Sequence, residues 1–202
     1  MIASPAMHVE AEVALKEWAV VCDALQRGRQ SLLLRKGGIR EANADRSFHV
    51  EHRAFALMPT YFHAHDAGRE RDLVPEVHAE LARLRQPTGS PGQLRFDLYA
   101  EVTAMWQLDA PERLPPLAPL HVLSAACVTD RFNYRRPGLW ALHLRVYRLA
   151  EPIERPDRPG YAGCVSWVHL DEPVRGAAEP VVSDAEHARR EAVLVAALGD
   201  AS

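Results

Sequence analysis

The chain has 202 residues, 48% apolar and 25% charged, the balance of a globular protein and not of a disordered one. Twenty-four basic against 27 acidic residues give a formal charge of −3, which excludes a uniformly basic nucleic-acid coat. No apolar run reaches the ~18 residues of a membrane-spanning helix, and Met1 to Glu17 lacks the basic start and apolar core of a secretory signal.

Val9 to Lys16 reads as a short helix or lead-in. The apolar run Ala19 to Leu25, the turn at Gln26 to Arg29 and the return Ser31 to Leu34 read as a hairpin covered on both faces. Gly37 and Gly38 break the second arm. Extended character resumes from Phe48 to Met58 and ends at Pro59, which cannot donate to a ladder. Leu73, Val77, Leu81 and Leu84 share one stripe and predict a helix over 69–85. From Leu94 to Leu108 apolar and polar residues alternate with period two, which predicts a long strand with a bend or bulge midway. Pro111 to Pro119 is stiff, and Leu120 to Asp130 reads as a short helix.

Leu139 to Leu149 returns to strand, with Trp140, Leu142, Leu144 and Val146 on one face and His143, Arg145 and Tyr147 on the other. Pro152 to Pro159 is a stiff connection, and Cys164 to Leu170 is a last strand. Ser183 followed by Glu186 announces a C-terminal helix over about 184–198, stopped at Gly199. The pattern predicts one α+β domain over residues 1–202, mainly an antiparallel sheet with a few flanking helices.

Cys22, Cys127 and Cys164 are an odd, widely spaced set, which predicts reduced thiols in a cytoplasmic protein without a zinc knuckle. Nearly all positive charge is arginine, and it is concentrated. Residues 27–53 hold seven basic against three acidic side chains, and residues 131–158 repeat that balance, so each stretch is basic on an otherwise acidic body. Two such stretches can converge into one anion-attracting surface.

The most site-like segment is Leu32 to Glu41. Its strand delivers Arg35 and Lys36 to a glycine pair, Gly37 and Gly38, that lets a phosphate-bearing ligand approach the backbone. Arg145 and Tyr147 are candidates to complete that anion site. Glu51, His52 and His63 are the candidate catalytic set, with carboxylate and imidazole available for acid–base work. His63, His65 and Asp66 cluster too, but no third ligand falls at a metal-binding spacing, so no metal and no cofactor are assigned. Asp97 and Glu101 share a strand face without a following E-x-K, and no G-x-S-x-G or Walker A loop occurs.

Several blocks together resemble a bacterial family known as domain of unknown function 1802. They are Leu15 to Trp18, Leu32 to Ile39 with Glu41, Val50 to His52 through Phe55, Pro59-Thr60 and His63, then Leu144 to Leu149 and Gly163 to Val168. The resemblance spans about residues 14–172. It implies no established activity; relatives carrying a restriction-endonuclease domain imply a setting in restriction–modification or other nucleic-acid metabolism. The opening segment with its glycine pair also resembles Nudix hydrolases, but their R-E-x-x-E-E helix is absent.

Three functional expectations follow. The first is an accessory module that binds nucleic acid, a nucleotide or another phosphate-bearing ligand, with a restriction-system protein as a further partner. The second is a phosphodiesterase-like hydrolase using Glu51, His52 and His63. The third is a protein-interaction subunit presenting Tyr99 or Tyr134. The sequence neither requires nor excludes catalysis.

Overall fold

Val9, Ala11 and Val13 are buried while Glu10 and Glu12 between them are exposed, so the chain opens as a strand, β1 (Met7–Trp18), and not as the expected helix. The structure is a computed structural model and describes residues 7–36, 52–61, 69–81, 83–163 and 165–201. Gly37, Gly38, Glu51, His63, His65, Asp66 and Cys164 lie outside the described residues.

The first arm of the expected hairpin is a helix, α1 (Ala19–Gln26). An apolar run of this length cannot distinguish a buried strand from a buried helix, and here six of its residues pack on all sides. Its turn is a helix stop. Arg29 N–H bonds the carbonyl of Ala24 at 2.8 Å and Gly28 N–H that of Leu25 at 3.0 Å, with Gly28 at φ +64°. That pair of bonds is the Schellman arrangement, which needs a left-handed residue. β2 (Leu32–Arg35) follows as expected.

β3 (Ala54–Thr60) runs through Pro59 instead of stopping there. β4 pairs only with Ala54 to Ala56, so at Pro59 no rung on that side is lost. The predicted helix over 69–85 is broken into 3-10 turns (Arg69–Asp72, Pro75–Val77, Arg83–Arg85) and one helical turn, α2 (His78–Leu81). Pro75 sits in the middle of the stripe and cannot supply a helical N–H. Leu73 and Val77 are nevertheless buried as their spacing implied.

β4 (Gln93–Leu108) is the long strand, with register shifts between Phe96 and Leu98 and between Val102 and Ala104. After a 3-10 stretch, α3 (Ala125–Asn133) starts a few residues late because Ser124 is its cap, accepting from Cys127 N–H at 3.1 Å. β5 (Leu139–Pro156) continues through the segment expected to be a connection, and β6 (Trp167–Pro180) runs beyond Leu170. α4 (Asp184–Leu198) is capped by Ser183, whose hydroxyl accepts from Glu186 N–H at 3.2 Å, and ends at Gly199. The Glu186 carboxylate bonds Arg189 and Arg190.

The strands run in the order β2-β5-β4-β3-β1-β6, with β5 also paired to β6. Five strands therefore close a ring, and β2 extends the first half of β5. Among the described residues only β1 and β3 are parallel; the other pairings are antiparallel, which gives the expected α+β architecture. The strand face carrying Leu15, Phe55, Leu57, Ala100, Leu144 and Val146 belongs to the larger apolar cluster, which includes residues of α1 and α3. The opposite face, with Ala14, Ala56 and Tyr99 in one row of register, carries a smaller cluster. No helix among the described residues is long and apolar enough to cross a membrane.

Two predictions follow from these contacts. A Cβ at Gly28 meets Val182 Cγ1 at 3.0 Å, so Gly28→Ala adds a clash to the left-handed penalty of about 1–2 kcal/mol. A lower urea midpoint at unchanged m-value is the expected readout. His121 is buried and accepts from Leu123 N–H at 3.2 Å, and burial pushes its imidazole down to about 4. The unfolded chain takes up a proton that the folded ring refuses, so stability is fully present above about pH 6.5 and falls as pH drops toward 4, by up to ~3 kcal/mol. His121→Asn should flatten that slope, measured as Tm against pH; an unchanged slope contradicts the assignment.

Candidate functional site

The two basic stretches of sequence meet at one end of the sheet. β2 carries Lys36 to the C-terminal end of α3, where its ammonium donates to the carbonyls of Phe132 and Gly138, each at 2.8 Å, and to that of Arg136. A cation suits this position, because the last carbonyls of a helix carry partial negative charge. Burial first, and the charge of Arg136 second, lower the Lys36 pKa from its ordinary value. In return Arg131 donates to the carbonyl of Leu34 at 3.2 Å and lies 4.5 Å above the Trp18 ring. Sequence reading placed both charge clusters but not this handshake, which depends on α3 ending against β2.

The loop leaving α3 is the most exposed part of the junction. Tyr134 is 50% exposed, and the Arg135 guanidinium lies 5.3 Å from its ring. Arg135 sits at φ +62°, the one non-glycine residue with positive φ among the described residues. That backbone costs about 1 kcal/mol and marks a loop shaped by something other than local preference. Arg136 beside it is exposed.

Arg35 does not share this exposed loop. Its guanidinium bonds Glu17 Oε2 at 2.8 Å, Ser166 Oγ at 2.9 Å and the Lys16 carbonyl at 3.2 Å. Both partners of the ion pair are shielded, with side chains 13% and 3% exposed. Glu17 also accepts from Trp18 N–H at 2.7 Å. Arg35 thus ties the ends of β1 and β2 to the start of β6.

Arg145 and Tyr147 lie elsewhere. Arg35 is opposite Trp140, and Arg145 is five residues further along β5, so they are ~17 Å apart by strand rise and on opposite faces. The expected single pocket therefore divides. Arg145 is buried, bonds the Asp184 carboxylate and the Ser183 carbonyl at the start of α4, and stands 5.8 Å over the Tyr147 ring. Tyr147 and Tyr99 both donate to Glu101, at 3.3 and 3.2 Å. Burial and the Glu101 charge push the Tyr99 hydroxyl up to about 12, so it stays protonated and serves as a donor. Tyr99 is buried, against the expectation of an exposed docking aromatic; Tyr134 fits that description.

Of the expected catalytic set, His52 is the described member. It is half-buried, edge-on to Trp167 with ring centres 5.2 Å apart and to His169 at 5.5 Å. Glu51 and His63 lie outside the described residues. Glu101, His187 and Glu191 join polar clusters that sequence reading did not assemble. Register could have placed Glu101 opposite Arg145, but the packing of α4 has no signature in the sequence.

The shielded Arg35–Glu17 pair gives a direct test. Glu17→Ala leaves a buried guanidinium without its counter-ion and should cost about 3–5 kcal/mol, whereas the double change Glu17→Leu with Arg35→Met should recover most of that loss. Chemical denaturation of both variants measures it. Equal losses in the two would show that the pair's geometry, and not the stranded charge, sets the cost.

No curated protein matches the chain. Among solved structures it is similar to ASCH from Zymomonas mobilis, at 15% identity and a TM-score of 0.42, over 79% of this chain and 87% of that one. A mutant form of that protein aligns at 14% identity and a TM-score of 0.42 over 91% of this chain and 96% of the other. Residues 14–193, from within β1 into the last turns of α4, match the sequence model described as Domain of unknown function (DUF1802), and the chain belongs to that family.

Proposed function

We propose that the chain is an accessory module that binds single-stranded nucleic acid at the junction of β2 and α3, in nucleic-acid metabolism of which restriction–modification is one setting. The observation that carries this reading is the meeting of the two basic stretches beside an exposed aromatic ring. The Arg135 guanidinium lies 5.3 Å from the exposed Tyr134 ring and Arg136 beside it is exposed, while the Lys36 bonds to Phe132 and Gly138 and the Arg131 bond to Leu34 hold the two stretches together.

Each part has a physical role. Arginines neutralise phosphates and release condensed counterions. An exposed tyrosine offers a face on which a base can stack whatever its sequence, and a neighbouring guanidinium adds cation–π attraction. Arg35, bonded to Glu17 and Ser166, braces β2 against β1 and the start of β6. Such a surface reads backbone charge and stacking, so it favours single strands and discriminates little between sequences.

Fluorescence anisotropy with a short single-stranded oligonucleotide tests the proposal. Two phosphates neutralised by Arg135 and Arg136 predict roughly a 7-fold loss of affinity between 50 and 200 mM salt. Tyr134→Ala should remove ~1–3 kcal/mol of binding, and Arg135→Ala with Arg136→Ala should reduce the salt slope by about 0.7 per arginine. Affinity that ignores salt, or that survives all three substitutions, rejects the junction as the binding surface.

A further inference from the structure

His143 on β5 is wholly buried, yet its Nε2 has no hydrogen-bond partner. A buried polar atom left in this way normally costs ~1–3 kcal/mol. Its other nitrogen is occupied: Nδ1 and Thr103 Oγ1 are 3.2 Å apart. Thr103 falls at the β4 register shift between Val102 and Ala104, so the irregularity in the ladder is what aims its hydroxyl at the ring.

α4 covers this part of the sheet, anchored by Trp106 Nε1–H to the Gly199 carbonyl at 2.8 Å and by Arg113 to the Leu198 carbonyl at 2.7 Å. It brings His187 and Glu191, one helical turn apart on the same face, over His143. The three residues present ligand atoms that all lie within 4.8 Å of one another. His187 Nδ1 is likewise buried and without a partner.

We propose that His143, His187 and Glu191 form a binding site for a zinc-class divalent cation. Two imidazoles and one carboxylate are a common donor set for zinc, with a fourth position left to water or another ligand. Thr103 is then a positioning residue, holding the His143 tautomer and ring direction as outer partners of metal-bound histidines do. The two rings lie parallel, 4.3 Å between centres and 8° between planes, so sharing an ion requires the half-buried His187 to turn while His143 stays held. Both rings are kept neutral by burial, His143 down to about 4, so their lone pairs are available at neutral pH. The nearby cations have partners of their own, Arg190 on Glu186 at 2.7 Å and Arg145 on Asp184.

Calorimetric titration of the chelator-treated 202-residue chain with zinc, and absorption spectra with cobalt, test this site. One equivalent should bind, and the cobalt adduct should show tetrahedral d–d bands without a thiolate charge-transfer band. His187→Ala and Glu191→Gln lie on an accessible helix and should keep the far-ultraviolet dichroism of the parent. Each should weaken zinc binding more than ~100-fold, and Thr103→Val by ~10–100-fold. Arg135→Ala with Arg136→Ala should leave zinc binding unchanged, which separates this site from the nucleic-acid surface. No saturable uptake, a thiolate band, or unchanged affinity in His187→Ala and Glu191→Gln would overturn the proposal.

Discussion

β5 serves three neighbours at once, and every feature of the molecule described above depends on how it does so. Along its length it pairs with β4; near its start it also pairs with β2, at Trp140–His143, and at its middle with β6, at Tyr147–Leu149. A flat strand has only two edges, so the change from β2 to β6 on one edge requires β2 to end before β6 arrives. Between Arg148 and Ile153 the pairing with β4 breaks step, next to Tyr147–Leu149 of β5, which pair with Ala178–Pro180 of β6. The ring of β5, β4, β3, β1 and β6 closes there, and closure removes the exposed edges that an open sheet would present.

This arrangement separates chemistry by face and by end. The β2 end of β5 meets α3, and that is where Lys36 and Arg131 interlock and Tyr134 is left exposed. The same strand, three to seven residues beyond the Arg35 rung, turns His143, Arg145 and Tyr147 to the other face, where His143 and Arg145 meet α4 and Tyr147 meets Glu101. Charge at the first end is partly structural, since Lys36 caps a helix and Arg35 neutralises Glu17. What remains for a ligand is the loop Tyr134 to Arg136. Charge at the second place is spent inside the protein on Asp184 and Glu186, which leaves the neutral imidazoles as its distinctive groups.

Much of the fold was legible in the sequence where one periodicity dominated. β4 and Leu142 to Tyr147 of β5 alternate with few exceptions, and α4 carries its serine cap, so these elements lie close to where the pattern puts them. β1 reads as a helix or lead-in although Val9, Ala11 and Val13 alternate with glutamates, because that alternation is short and Leu15 and Lys16 beside it are helix-compatible. α1 was not legible, since a wholly buried helix and a wholly buried strand have the same composition. The late halves of β5 and β6 are polar enough to read as connections, and they are strands because each finds a partner across the sheet.

The sequence by itself determined the α+β class, the family, the basic character of two stretches and the opposed faces of β5. Those properties are local: they follow from alternation, capping and charge density within a few residues. Tertiary structure alone decided that Arg35 and Arg145 stand on opposite faces, that Lys36 caps α3, and that His187 and Glu191 lie over His143. Each of these joins residues from 44 to more than 100 positions apart, and such contacts depend on ring closure and helix docking, which no spacing along the chain encodes.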